Sequence, residues 1–351
     1  MQLGIVGFPK TGKTTLFNLL TQSHEATDKF SKSSEAHLAI CHVPDPRLER
    51  LAALYKPKKK TPATVQFVDI PGVTKQVGSA DLNLAQLKEV DALVHVVRAF
   101  EDEEIPHPDG SVNAARDLAS LDLELIFADL ELVERRIERL AKNQKRGLDP
   151  DEKREHELLV DTIKPALENE APLRTVPLAE EDEKRLRGFQ LLSAKPLLVV
   201  WNVGEDALDT TPPDAGADVQ TIVMSLPIEA EISVLPEDEQ KDFLADLGLE
   251  TPSLDRVIRA SYQLLGLISF FTVGEDECRA WTIRAGTNAQ KAAGTIHSDL
   301  ERGFIRAEVV EWDKLLEHGS EAKCREAGVL RLEGKQHVVA DGEVMHVRFN
   351  V

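Results

Sequence analysis

The chain has 351 residues, with 42 Lys and Arg against 61 Asp and Glu, giving a formal net charge of −19 at pH 7. Hydrophobic residues at 42% and charged residues at 29% exclude wholesale disorder, and the acidic excess excludes a protein that coats nucleic acid indiscriminately. No apolar run approaches the roughly 18–20 residues needed to span a bilayer, and the scattered cysteines Cys41, Cys278 and Cys324 provide neither a disulfide framework nor a zinc site.

Met1-Gln-Leu-Gly-Ile-Val-Gly lacks a basic stretch and leads straight into a motif, so no signal peptide and a cytoplasmic protein are expected. Gln2–Val6, Thr64–Ile70 and Ala92–Arg98 read as strands, and Lys13–Leu20 and Leu82–Glu89 as helices. That alternation points to a parallel sheet with helices on both faces. Leu118, Leu121, Leu125, Ala128 and Leu132 then recur at helical steps, continued after a skip by Val133, Ile137 and Leu140. Gly147-Leu-Asp-Pro150 breaks the pattern, and a second amphipathic stretch runs from Asp151 to about Leu167. The pair reads as a projecting antiparallel hairpin with little else to pack on. A buried strand at Pro196–Trp201 resumes the sheet. Beyond residue 262, Leu267–Phe271, Glu277–Ile283, Ala307–Val310, Gln336–Val339 and Val344–Val351 read as strands, with one helix near Ala289–Asp299. The expected division is an α/β domain at 1–117 and 191–262, interrupted by a helical hairpin at 118–190 and followed by a small α+β domain at 263–351.

Gly7-Phe-Pro-Lys-Thr-Gly-Lys-Thr14 fits G-x-x-x-x-G-K-[ST] between a strand and a helix. Glycines let the backbone curl so that successive N–H groups and the helix N-terminus face phosphate oxygens. The expected binding residues are Gly7, Phe8, Pro9, Lys10, Thr11, Gly12, Lys13, Thr14 and Thr15. Lys13 supplies charge at the β- and γ-phosphates, and the Thr14 hydroxyl is a candidate Mg²⁺ ligand. Phe67-Val-Asp-Ile-Pro-Gly72 ends an apolar strand in Asp-x-x-Gly, which makes Asp69 a Mg²⁺ candidate and Gly72 a γ-phosphate donor. Downstream, Leu197-Leu-Val-Val-Trp-Asn-Val-Gly-Glu205 places Asn202, Val203 and Glu205 where a guanine-binding switch carries Asn-Lys-x-Asp. A longer carboxylate should not clamp guanine in the same way, and a loop Asn that merely caps a strand end stays the alternative.

These residues resemble the YchF/Obg-like ATPases, a branch of the P-loop GTPase superfamily in which Asn-x-x-Glu accompanies a preference for ATP. The resemblance runs through Pro44-Asp-Pro-Arg-Leu48, Glu89–Val97 with Phe100-Glu-Asp102, and Ile228-Glu-Ala-Glu-Ile232. It is densest in Phe270-Phe-Thr-Val-Gly274, Arg279-Ala-Trp-Thr282, Ile296-His-Ser-Asp299, Gly303–Glu308 and Asp341–His346. It implies a G domain with a mostly parallel sheet, an inserted coiled-coil hairpin, and a C-terminal α+β β-grasp domain of the TGS type. It also implies that Ser225 and Leu226 back the base, and that ATP or GTP with Mg²⁺ binds. An ATP-hydrolysing switch acting on the ribosome or rRNA, through the C-terminal domain and the hairpin, is the expected function. A monomer with no membrane contact is expected.

The chain departs from the family loop, which reads Gly-x-Pro-Asn-Val-Gly-Lys-Ser, at Lys10. An Asn there helps hold K⁺ in related proteins, so Lys10 is expected to act as a built-in cation and K⁺ to be dispensable. Ser33 stands where a first-switch Thr would close on Mg²⁺, and Val73 stands where many GTPases carry a water-positioning Gln. Hydrolysis is therefore expected to be slow, with catalytic roles for Lys13, Lys10 and Gly72. A non-hydrolysing nucleotide-sensing adaptor and a true GTPase remain the competing functions. His95 reads as a satisfied core histidine, and Lys56-Pro-Lys-Lys-Lys60 as a solvated turn in preference to an RNA contact.

Overall fold

The computed structural model describes residues 1–22, 38–71, 84–144, 147–216 and 219–350. Ser33, Gly72 and Val73 lie outside the described residues. Two compact units form, Met1–Ala39 with Gln66–Val257, and Ile40–Val65 with Ile258–Val351. The sequence division above leaves residues 40–65 in the α/β domain, whereas here they belong to the C-terminal unit.

The larger unit begins with β1 (Gln2–Val6) and α1 (Lys13–Gln22). In β2 (Leu38–His42) the chain passes to the smaller unit, which takes α2 (Pro46–Tyr55) and β3 (Lys59–Thr61), and it returns in β4 (Thr64–Asp69). Next come α3 (Leu84–Glu89), β5 (Ala92–Ala99), α4 (Ala114–Gln144), α5 (Pro150–Leu158), α6 (Lys164–Glu168), α7 (Glu180–Leu186), β6 (Leu197–Val203), β7 (Gln220–Met224), α8 (Leu226–Val234), α9 (Glu237–Asp246) and α10 (Ser253–Leu264). The sheet order is β2-β4-β1-β5-β6-β7, and the β4–β1–β5–β6–β7 pairings are parallel. Every residue of β6, and β5 from Ala92 to Arg98, is buried, as a parallel sheet covered on both faces requires. Parallel strands bring the segments after β1, β4, β5, β6 and β7 to one edge, where ligands bind in open α/β sheets.

The stripe along α4 serves two cores. Leu118, Leu121 and Leu125 pack with Val97 and Trp201 on the sheet. One residue further round, Ile126, Val133 and Leu140 face a second core with Leu158, Ile163 and Leu167. The change of face falls at Leu125 and Ile126, ahead of the skip read in the sequence between Leu132 and Val133, which both belong to the second core. Leu173, Leu186 and Leu191 complete the second core, so the helix pair also packs against the segment that follows it. Between α5 and α6 the helix widens into a π turn at Leu159–Ile163. Pro165 explains it, because its ring would clash with the carbonyl four residues back and it cannot donate there.

The smaller unit adds β8 (Leu267–Thr272), β9 (Glu277–Arg284), α11 (Ala289–Ile296), α12 (Ser298–Arg302), β10 (Phe304–Glu311), α13 (Trp312–His318), α14 (Glu321–Glu326), β11 (Arg331–Glu333) and β12 (Glu343–Phe349). Its sheet runs β11-β10-β12-β8-β9-β3. Arg47 holds residues 40–65 here: it bonds Asp341 at 2.7 Å, bonds Asp45 at 2.9 Å, and lies over the Phe271 ring. The expected strand at Gln336–Val339 is only a single bridge between Val338 and Asn288, and the strand lies instead at Arg331–Glu333. The helix near Ala289–Asp299 breaks at His297, whose ring Nδ1 accepts from the Asp299 N–H and caps α12. The lysine run contains the edge strand β3, where Lys58, Lys59 and Lys60 pair with Asp276, Glu277 and Glu49. Charged edge residues of this kind discourage pairing with another chain.

Candidate functional site

The loop after β1 can be built only with its glycines. Gly7 has φ +145°, and a Cβ there would lie 2.5 Å from the Val96 carbonyl oxygen. Gly12 has φ +100°, and its Cβ would lie 2.4 Å from Leu226 Cδ1 and 2.7 Å from Asn202 Nδ2. Between them Lys10 adopts φ +65° and is exposed. Asn tolerates this left-handed conformation better than Lys, whose presence there stores about 1 kcal/mol or more of backbone strain.

The Phe8 carbonyl is the hub of the turn, accepting from Thr11 Oγ1 at 3.0 Å and Lys13 Nζ at 2.6 Å. Lys13 is buried, and desolvation, opposed by the charge of Asp69, lowers its ammonium to about 8. Thr14 and Thr15 are exposed on the first turn of α1, and Pro9 is half-buried.

Asn202 fastens this loop to the neighbouring strand ends. Its Nδ2 donates to the Thr11 carbonyl at 3.0 Å, and its Oδ1 accepts from the Leu226 N–H at 3.3 Å. The side chain therefore bridges two loops, and describing it as a strand cap misses that role. Ser225 is buried, and its hydroxyl has no hydrogen-bond partner among the described residues. Val203 packs in the sheet core, while Glu205 is exposed on a short turn, Glu205–Ala207. A cavity of about 710 Å³ brings Lys10, Gly12, Thr15, Asn202, Val203, Glu205 and Leu226 together with Phe100, Ile105 and Pro227, a size suited to a small organic ligand. Asp69 ends β4, close enough to Lys13 to act on its charge.

Sequence reasoning missed two buried polar side chains, neither of which lines the cavity. Arg98 is buried at the end of β5, and nothing in an apolar strand pattern marks it as stacking on Phe100. His107 lies in an aperiodic loop, and its buried ring bonds Asp117 at 3.0 Å. His95 corrects an expectation: it is buried, yet neither ring nitrogen has a hydrogen-bond partner among the described residues. Burial first, then the charges of Lys13 and Arg174, push it down to about 3, so the ring is neutral.

The oxygen donors present suit Mg²⁺, which takes hard oxygen ligands: an exposed Thr14 hydroxyl and the Asp69 carboxylate. The glycine-forced approach of the loop backbone suits a polyphosphate.

Residues 2–129 match the family model described as a 50S ribosome-binding GTPase, and residues 267–350 match the YchF-GTPase_C model, described as a protein of unknown function. The chain is 44% identical to the ribosome-binding ATPase YchF of Bacillus subtilis, covering 99% of each. It is 37% identical to Obg-like ATPase 1 of Oryza sativa over 100% of this chain and 92% of that one. The solved YchF GTPase of Schizosaccharomyces pombe superposes with a TM-score of 0.89 at 32% identity, covering 99% of this chain and 97% of that chain. With the loop, the Asn202 bridge and the C-terminal β unit in agreement, the chain belongs to the YchF family of P-loop nucleotide-binding proteins.

Proposed function

We propose that this chain is an ATP-binding, slowly ATP-hydrolysing switch that acts on the ribosome. The observation that carries this reading is the glycine-forced loop opening into a cavity that Asn202 and Glu205 also line. The loop N–H groups and Lys13 take the phosphates, while Leu226, Val203 and Ser225 back the base. Glu205, a residue longer than Asp, stands where guanine would be clamped, which favours ATP. When bound with the triphosphate, Mg²⁺ would neutralise phosphate charge; Thr14 and Asp69 would hold it, with Ser33 as the third group. Gly72 donates to the γ-phosphate, and Lys10 serves as a tethered cation in place of K⁺.

The ribosome contact is assigned to the C-terminal unit and the hairpin, with the protein acting as a monomer. The names of the ribosome-binding relatives support a ribosome partner, and the arginines of the smaller unit are what points to that unit. Arg279 stacks on Trp281 at 3.9 Å, and Arg306 is exposed with no ion pair among the described residues, whereas Arg302 is tied to Asp299. Single-turnover hydrolysis of ATP and GTP beside their dissociation constants tests the reading, and nucleotide binding without turnover would make the chain an adaptor instead.

A further inference from the structure

Arg98 heads the fully buried side chains by size and is 1% exposed. A guanidinium in that position ordinarily faces a carboxylate, because an uncompensated buried charge is costly. Arg98 has no carboxylate partner among the described residues. Both of its described contacts go to one residue: Nε donates to the Phe100 carbonyl at 3.0 Å, and the guanidinium carbon lies 4.6 Å from the centroid of the Phe100 ring. Nη1 is buried and has no partner among the described residues. Gripping a carbonyl while stacking on the ring next to it needs a planar, delocalised cation, which Arg supplies and Lys does not.

Phe100 in turn lines the cavity together with Val203, Leu226 and Pro227. Strand register sets Arg98 directly beside Asn202. The two neighbours divide the work at this edge, since Asn202 ties down the loop that carries the glycines and Arg98 ties down the ring.

We infer that Arg98 is a positioning residue that fixes Phe100 as the aromatic wall of the base-binding end of the cavity. Affinity for the base then depends on Arg98, and affinity for the phosphates does not. This inference rests on the reading of the cavity as a nucleotide site.

The test compares Mg²⁺-ATP with Mg²⁺ inorganic triphosphate by titration calorimetry on the full chain, using wild type, Arg98→Lys, Phe100→Leu and the double variant. Each single variant should weaken ATP about tenfold and change triphosphate less than twofold. The double variant should be no worse than either single one, because both remove the same wall. Equal losses for ATP and triphosphate, or no loss for ATP, would overturn the inference. Where Arg98→Lys lowers the melting temperature too far to measure, Arg98→Met, which keeps the apolar stem and loses the planar cation, is read in its place by the same selectivity. Wild-type protein that binds neither ligand would instead remove the nucleotide reading itself.

Discussion

At the phosphate-loop edge of the larger unit, buried cations are held by backbone carbonyls. Lys13 donates to the Phe8 carbonyl and Arg98 to that of Phe100. In the smaller unit, buried charges are carboxylates, and each is paired with arginine. Glu308 receives Arg325 and Arg348, while Glu343 receives Arg331 at 2.6 Å and lies 3.0 Å from the His337 ring. A carbonyl satisfies a donor's geometry without pairing its charge; at Lys13 the charge of Asp69 offsets part of it, and the remainder leaves a field for an anion. A carboxylate paired with arginine has spent its field. The first arrangement belongs to a binding site and the second to the stability of a fold.

The most severe test of that contrast is Lys10, the exposed cation held at a strained loop position. Lys10→Ala should lower kcat on the order of a hundredfold, with a smaller loss of binding. Wild-type turnover should be the same in K⁺ and Na⁺, and a several-fold rise in K⁺ would show that Lys10 does not replace that ion.

Proton linkage at Lys13 follows in size. Its ammonium is lowered to about 8 by burial, and a bound polyphosphate must restore the charge. Below that pH the proton is already present and affinity is flat. Above it, binding must take up a proton, so the dissociation constant for ATP should rise up to about tenfold per pH unit. Titrations across that range in wild type and in Lys13→Arg check this, because the slope should vanish in the variant.

The smallest effect lies in the other unit. Burial raises the Glu308 carboxyl, but hydrogen bonds from Arg325 and Arg348 outweigh it, and the net shift is below the ordinary value of 4.5. Its contribution is therefore present above that value and lost as pH falls through the depressed one. Glu308→Gln should cost about 1–3 kcal/mol in denaturant unfolding at neutral pH and flatten that part of the acid limb. ATP affinity should not change. A weakened ATP affinity would mean that the two regions are not energetically separate.

What was legible in the sequence was local. The loop could be read because only glycine satisfies the φ values and close approaches at Gly7 and Gly12. The strands could be read because a sheet buried on both faces needs unbroken apolar runs. The rest depended on partners distant in sequence. Arg47 meets Asp341 across 294 positions, which carries residues 40–65 into the smaller unit. The stripe on α4 looked like one seam because periodicity shows which residues are apolar and not which core receives them. Pro165 alone does not mark a π turn, and in the sequence Arg98 is only the polar end of a strand.

The central claim, that the cavity selects ATP, is tested most directly by measuring ATP and GTP dissociation constants together with single-turnover hydrolysis of each, in wild type and in Glu205→Asp. The account predicts that ATP binds at least as tightly as GTP and is turned over, and that Glu205→Asp shifts preference toward GTP. Val203→Lys, which should push further in that direction, would have to thread a lysine out of the sheet core and is the harder variant to interpret. A GTP dissociation constant tenfold below that for ATP, about 1.4 kcal/mol, would contradict the account.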